Sequence, residues 1–89
     1  MQFVFDPVKD EINRAKHGVS LALAEVLFGG QHLTLADDRF DYGEKRMIAF
    51  GKIGRRVFAC VFTDRGAQRR IISLRKANSR EVKRHGKAL

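Results

Sequence analysis

The sequence has one cysteine, one proline and no tryptophan among its 89 residues. A lone cysteine, Cys60, cannot form an internal disulfide, so the chain does not resemble a small secreted scaffold that disulfides hold together. Cys60 lies in the apolar run 57–62, where we expect a buried thiol.

The sequence also lacks segments that direct a chain into or across a membrane. Residues 1–6 do not combine a basic region with a long apolar run, so we do not expect a signal peptide there. Every apolar run is far shorter than the roughly 20 residues that a membrane helix needs. We therefore expect a cytoplasmic protein.

Length and composition favour one small folded domain. A chain of 89 residues is too short for a multidomain enzyme, and we expect a single domain over residues 1–89. Hydrophobic residues make up 44% of the chain and charged residues 31%. That composition can bury a modest core and is unlike that of a disordered chain.

Charge is divided unevenly between the two halves of the chain. The formal net charge is +8, from 18 Lys and Arg against 10 Asp and Glu. Residues 1–44 carry four basic and eight acidic side chains, whereas residues 45–89 carry fourteen basic and two acidic ones. The second half, with a net charge of +12, therefore favours a polyanionic partner.

The first half is predicted to contain a strand and two helices. Residues 3–5 form a short apolar strand, after which Asp6 caps a helix that begins at Pro7 and ends at Gly18. One apolar stripe follows this helix at the spacing i, i+4, i+7, and its members are Val8, Ile12 and Ala15. Ser20 caps a second helix over residues 21–28, which we expect to be largely buried.

The second half is predicted to be mainly β-structure. Apolar and polar residues alternate around residues 33–35, and strands are expected over residues 46–53, 57–63 and 69–75 as an antiparallel meander. In the last strand, alternation places Ile72 and Leu74 toward the core and Arg75 toward the surface. Asn78 or Ser79 caps a short helix over residues 80–85.

These elements define an α+β fold. We expect an N-terminal strand and two helices packed on an antiparallel sheet of about four strands, followed by a short C-terminal helix.

The acidic residues and histidines do not match a metal site. Four carboxylates lie within residues 37–44, but the twelfth position of an EF-hand loop that began at Asp37 is Ile48 instead of Glu. We interpret this stretch as a solvated loop that forms ion pairs. The three histidines have no recognised zinc spacing, so we predict no metal and no cofactor. His17 either caps the end of the first helix or acts as a general acid–base residue.

Arginine density in the second half is the strongest functional signal. Guanidinium groups bind phosphates through paired hydrogen bonds, so we expect contact with nucleic acid or nucleotide phosphate. The cluster spans sixteen residues and comprises Arg65, Arg69, Arg70, Arg75, Lys76 and Arg80. Charge does not distinguish binding from cleavage, and phosphate contacts carry no base specificity. A solvated basic edge that binds an acidic protein is the alternative.

Several segments resemble the BrnT family of toxins over nearly the whole chain. The most specific are Lys16-His17-Gly18 and the stretch 70–77, Arg-Ile-Ile-Ser-Leu-Arg-Lys-Ala; further similar segments are 5–9, 24–28, 42–46, 48–51, 62–66 and 79–81. The resemblance implies a RelE/ParE-like fold and a ribonuclease that inhibits translation. It also implies a ribbon-helix-helix antitoxin of the BrnA type, which forms a heterotetramer with the toxin and represses their operon.

The resemblance also suggests which residues carry the reaction. Arg65 and Arg75 match the family's active-site arginines, and Asp64 stands where relatives often have Glu. We expect metal-independent RNA cleavage, in which arginines stabilise the phosphorane. Candidate acid–base groups, in declining order, are His17, Asp64 and Lys16.

The expected site is a basic cleft made by the last two strands, the turn 64–66 and the start of the final helix. RNA should bind in single-stranded form, because side chains cannot read the deep groove of A-form RNA. Expected RNA contacts are Lys16, Arg70, Lys76 and Arg80, and Phe40 or Tyr42 are candidates for base stacking. The alternative is a non-catalytic module that binds nucleic acid or an antitoxin through the same surface.

Overall fold

The computed structural model describes residues 1–39 and 41–89. Its order of elements is β1 (Gln2–Val4), α1 (Pro7–His17), a 3₁₀ turn (Leu21–Leu23), α2 (Ala24–Gly29), β2 (His32–Ala36), β3 (Met47–Ile53), β4 (Arg56–Arg65), β5 (Gln68–Lys76), α3 (Ser79–His85) and a final 3₁₀ turn (Gly86–Ala88). The α+β class and the short C-terminal helix are confirmed.

The sheet has five strands in the order β1-β5-β4-β3-β2 and is mixed. Strands β2 to β5 form the expected antiparallel meander, but β1 joins its edge by parallel pairing with β5. The prediction of an antiparallel sheet of about four strands is therefore wrong in count and in type. The sequence predicts the N-terminal strand itself, but its pairing with the last strand is a long-range contact that local pattern does not reveal.

Both ends of α1 follow the expected capping chemistry. The Asp6 carboxylate accepts a hydrogen bond from the Val8 backbone N–H at 2.8 Å. Gly18 ends the helix in the left-handed conformation, with φ 76°. Glycine adopts this conformation without steric strain because it has no Cβ. Strand, cap and helix thus follow one another as the sequence predicts.

The predicted second helix is split and only half buried. Ser20 caps the 3₁₀ turn, since its hydroxyl accepts from the Ala22 N–H at 3.1 Å, and the α-helix begins only at Ala24. Leu21 and Leu27 are fully buried, but Val26 is exposed. The expectation of a largely buried helix is therefore wrong, because the helix lies on the sheet with one side toward solvent.

Each face of the sheet carries its own apolar cluster. The α2 face, as we call it, lies under the first helices and is centred on Leu27, Phe62 and Leu74. The opposite α3 face carries a second cluster, which comprises Ile48, Phe50, Val57, Ala59 and Val61. On the α2 face, Gly51 allows close approach, because a Cβ there would lie 2.8 Å from the Leu27 Cγ.

A β-bulge in the last hairpin changes the expected faces of β5. Val61 pairs with Ser73 but Phe62 pairs with Ile71, so Ile72 is the extra residue. Ile71 and Leu74 consequently both lie in the α2-face core, whereas Ile72 packs against the other cluster. The prediction that Ile72 and Leu74 share a face is wrong, since simple alternation does not allow for an inserted residue.

Asn13 joins α1 to the part of β5 that β1 does not cover. Its amide nitrogen donates to the Leu74 carbonyl at 2.8 Å and to the Val19 carbonyl at 2.9 Å, and its amide oxygen accepts from the Leu74 N–H at 3.1 Å. The side chain thereby replaces a neighbouring strand at Leu74. This buried polar contact fixes which side of α1 faces the sheet.

Candidate nucleic-acid interface

A cleft of about 290 Å³ opens on the α3 face, between α3 and the strands β2 and β3. Its floor is apolar, with Ile48 and Phe50 on β3 and the His85 ring stacked on Phe50 at 4.5 Å between centroids. Its walls carry charges of both signs, which come from Asp37, Arg39, Arg80, Glu81 and Arg84. An apolar floor with charged walls suits a ligand that has both a flat ring and an anionic group.

Arg75 lies beside this cleft in a bidentate ion pair with Glu81. Its two terminal nitrogens donate to the two carboxylate oxygens at 2.7 and 2.9 Å, and its side chain is 25% exposed. Glu81 also accepts from the Asn78 N–H at 2.9 Å, within the capping box of α3. The hydrogen bond from Arg75 lowers the pKa of Glu81, so the pair is ionised at neutral pH. The guanidinium is therefore held in one orientation.

Asp37 and Arg39 form the opposite wall of the cleft. The Asp37 side chain is only 1% exposed and accepts two hydrogen bonds from Arg39, at 2.7 and 3.0 Å. These hydrogen bonds lower the pKa of Asp37. Asp37, Arg39 and Glu81 all line this cleft, and the charge of Arg39 contributes to the lowered pKa of Glu81.

A second, smaller groove of about 150 Å³ runs between α1 and β5. Lys16 and His17, at the end of α1, line it on one side, and Ser73 on β5 lines it on the other. Burial lowers the pKa of His17, and the charges of Lys16 and Arg75 lower it further. The imidazole is consequently neutral at pH 7. Ser73, which lines this groove, is two residues before Arg75 on β5, so the groove lies close to this arginine along the strand.

Arg65 lies far from Arg75. Arg75 pairs with Ala59, six residues before Arg65 on β4, so the two arginines are separated by about 20 Å along the strand. Arg65 instead donates to Glu44 at 2.8 Å and is 60% exposed. Nearby, the Arg46 guanidinium lies 3.9 Å from the centroid of the Tyr42 ring.

Asp64 belongs to the α2 face, away from the cleft. It holds Arg69 through two hydrogen bonds of 2.8 and 3.0 Å. The Arg69 guanidinium in turn lies 4.6 Å from the centroid of Phe28 and 4.3 Å from that of Phe62. Asp64 thus orients a cation that packs on aromatic rings, and a catalytic role for it stays a prediction.

The other predicted RNA contacts lie on three different elements, α1, β5 and α3. Lys16 lines the small groove, Arg80 lines the cleft, Lys76 is exposed near the end of β5, and Arg70 is half-buried opposite Thr63. The single cleft that we expected from the turn 64–66 and α3 does not form, because these parts lie at opposite ends of the last hairpin. Phe40, the other stacking candidate, lies outside the described residues.

Three residues of the site were missed from sequence. Glu81, Asp37 and Arg39 all border the cleft. The spacing of Asn78 and Glu81 is that of a capping box and could have indicated a fixed carboxylate there. The sequence predicts a solvated loop over residues 37–44, and local pattern gives no signal that the Asp37 side chain is buried.

Two absences hold for the part of the chain that the structure describes. Among residues 1–39 and 41–89, no group of three or more His, Cys, Asp or Glu is placed to bind a metal ion. In the same ranges, no helix has the length and apolar character needed to cross a membrane.

The fold and the site together define a small basic α+β protein with Arg39, Arg80 and Arg84 around an open cleft. The comparison with protein families specifies the class further, since the sequence model of the BrnT ribonuclease toxin of type II toxin–antitoxin systems matches residues 5–81. The chain therefore belongs to the BrnT family of ribonuclease toxins. No curated protein matches the sequence significantly.

Proposed function

We propose that this protein is a metal-independent endoribonuclease that cleaves single-stranded RNA and thereby inhibits translation. The observation that carries the proposal is the Arg75 guanidinium, which its two hydrogen bonds to Glu81 hold beside the cleft and close along β5 to the groove that His17 lines. Cleavage without a metal needs a base for the ribose 2′-hydroxyl and cations for the phosphorane oxygens. His17 and Arg75 supply these two functions.

In this mechanism each residue has one task. His17 takes the proton of the 2′-hydroxyl, which its lowered pKa permits at neutral pH. The 2′-oxygen then bonds to phosphorus to give a 2′,3′-cyclic phosphate, the bond from phosphorus to the 5′-oxygen breaks, and that oxygen takes a proton from water. Arg75 exchanges its contact with Glu81 for the phosphoryl oxygens, whose charge grows in the transition state. Glu81 keeps the guanidinium oriented before RNA arrives.

The remaining predicted residues contact RNA away from the reacting phosphate. Lys16, Arg70, Lys76 and Arg80 bind neighbouring phosphates. Arg65 lies about 20 Å from Arg75 along the strand, so it binds a phosphate several nucleotides away from the reacting one. Tyr42, which lies against Arg46, offers a ring near that end for base stacking. Asp64 is a weaker acid–base candidate than His17 because it is paired with Arg69 on the other face.

Membership of a type II toxin–antitoxin family supports further parts of the proposal. The partner is an antitoxin with a ribbon-helix-helix domain of the BrnA type, and the complex contacts operator DNA through that antitoxin. The domain, residues 1–89, has a RelE/ParE-like architecture and acts in the cytoplasm.

A second candidate function is a non-catalytic module that binds nucleic acid or an antitoxin. The observation that favours it is the pairing of Arg39, Arg65 and Arg75 with carboxylates, which reduces the free positive charge at the site. A binding surface can tolerate such pairs, whereas a catalytic arginine must leave its partner.

RNA cleavage by the purified protein in the presence of EDTA tests the proposal. We expect cleavage of a single-stranded RNA in EDTA, and a loss of about 100- to 1,000-fold in rate for Arg75→Ala, the range for removal of one transition-state donor. Arg55→Ala is the matched control, because it removes the same charge from the exposed β3–β4 turn.

The outcomes separate the candidate functions. Binding of RNA without cleavage by the wild-type protein supports the non-catalytic module. Cleavage that EDTA abolishes contradicts metal independence, and equal rates for the two variants contradict the assignment of Arg75.

A further inference from the structure

The apolar stripe of α1 faces solvent. Val8 and Ile12 are one helical turn apart, and they are 61% and 59% exposed. The side of the helix that faces the sheet carries Asn13, the buried residue of α1. An apolar stripe at this spacing usually packs on the core of its own domain, so its exposure here points to a surface that another molecule covers.

Basic side chains lie along one side of this stripe. Ile12 also forms a wall of the groove between α1 and β5, where half-exposed Ile72 is its apolar neighbour. Lys9 and Lys16 border the same groove. An apolar strip with positive charge on one side is complementary to an amphipathic segment that has carboxylates beside its apolar residues.

We propose that the stripe of Val8 and Ile12, with Lys9 and Lys16 beside it, is the docking surface for an acidic amphipathic segment of a partner protein. Apolar side chains of the partner pack on Val8 and Ile12, and its carboxylates pair with the two lysines. The proposal concerns protein binding and does not depend on ribonuclease activity.

Two alternative occupants fit this surface less well. RNA bases stack on aromatic rings, whereas the exposed residues of the stripe are aliphatic. A second copy of the chain related by two-fold symmetry would bring Lys9 and Lys16 near their own counterparts, and like charges oppose such contact. An acidic protein segment meets neither obstacle.

The probe is a synthetic 18-residue helical peptide with Leu at positions i, i+4 and i+7 and Glu beside them. In ¹⁵N NMR titrations we expect the peptide to shift the amide resonances of Val8, Lys9, Ile12 and Lys16. Ile12→Glu should weaken binding about tenfold or more, because it removes one apolar contact and adds a like charge. Val26→Glu is the matched control, because Val26 is 50% exposed on α2.

A charge exchange tests the electrostatic part of the proposal. Lys9→Glu should weaken binding of the Glu peptide and strengthen binding of the same peptide with Lys in place of Glu. Thermal melts check that each variant is folded. Lys9 and Ile12 are exposed, so we expect melts like that of the wild type.

Three results would overturn the proposal. The first is equal peptide affinity for the wild type and Ile12→Glu, or resonance shifts confined to the cleft under α3. The second is a concentration-dependent dimer in sedimentation that Ile12→Glu abolishes, which would assign the stripe to a second copy. The third is a twelve-nucleotide RNA that shifts the resonances of Val8 and Ile12 more strongly than the Glu peptide does; a shift of Lys16 alone is expected from its proposed contact with RNA.

Discussion

Two arginine–carboxylate pairs of nearly equal geometry lie on opposite faces of the sheet. Arg69 and Asp64 are joined at 2.8 and 3.0 Å on the α2 face, and Arg75 and Glu81 at 2.7 and 2.9 Å on the α3 face. The guanidinium of Arg69 packs on two aromatic rings, whereas that of Arg75 lies beside the cleft, held by a carboxylate that lines it. The residues around an ion pair therefore indicate its role, whereas its hydrogen-bond lengths, which are nearly the same in both pairs, do not.

The largest effect that this comparison predicts concerns His17, beside Arg75. We expect His17→Asn to slow RNA cleavage at least about a hundredfold, the lower end of what a general base contributes. In the wild type the rate should fall as the pH falls through the lowered pKa of His17, below 6.5, because the base is then protonated. A pH–rate profile of both proteins measures the effect.

The same titration affects stability with a definite sign. Because the folded pKa of His17 is lowered, the unfolded chain takes up the proton first, and stability falls as the pH drops below 6.5. His17→Asn should therefore weaken the pH dependence of urea unfolding in that range. A variant that keeps the wild-type acid limb of the cleavage profile would contradict the role of His17.

The second prediction concerns the pair on the α2 face. We expect Arg69→Ala to lower the free energy of unfolding by about 2 kcal/mol, since it removes a charge-assisted hydrogen-bond pair and a cation packed on two rings. Urea unfolding measures this loss, with Arg55→Ala as the control. The folded fraction of Arg69→Ala should cleave RNA within about twofold of the wild type if only the α3 face binds the reacting phosphate.

The opposite outcome for Arg69→Ala would contradict the conclusion that only the α3 face binds the reacting phosphate. A large loss of cleavage at unchanged stability would place the α2 face in the ribonuclease site, together with Asp64. The catalytic role that the sequence suggests for Asp64 would then gain support.

Local chemistry made much of the fold predictable from sequence. Asp6, Gly18 and Asn78 mark helix ends through their own side chains or backbone conformation, and the structure has helix ends at all three. The alternating runs of the meander likewise give β3, β4 and β5 to within a few residues. These features depend on neighbours in the chain, which the sequence displays directly.

What depends on distant residues was not predictable. The bulge at Ile72 is defined only by the pairing of β5 with β4. The apolar stripe of α1 faces solvent because Asn13, on the other side of the helix, contacts Leu74, sixty-one residues away. For the same reason, the sequence identifies Arg65 and Arg75 as arginines of interest but gives no distance between them. The distance between the two arginines follows from the register in which β5 pairs with β4, and residue type does not reveal that register.

The smallest predicted effect tests that separation directly. Arg65→Ala should raise the KM for a long single-stranded RNA about threefold and leave kcat unchanged, because an arginine about 20 Å along the strand from Arg75 adds binding but does not touch the reacting phosphate. For a dinucleotide substrate, which cannot span that distance, the variant should match the wild type. A lower kcat on the dinucleotide would mean that Arg65 reaches the reacting phosphate. Both Arg65 and Arg75 would then be catalytic, as the family resemblance implies, and not Arg75 alone.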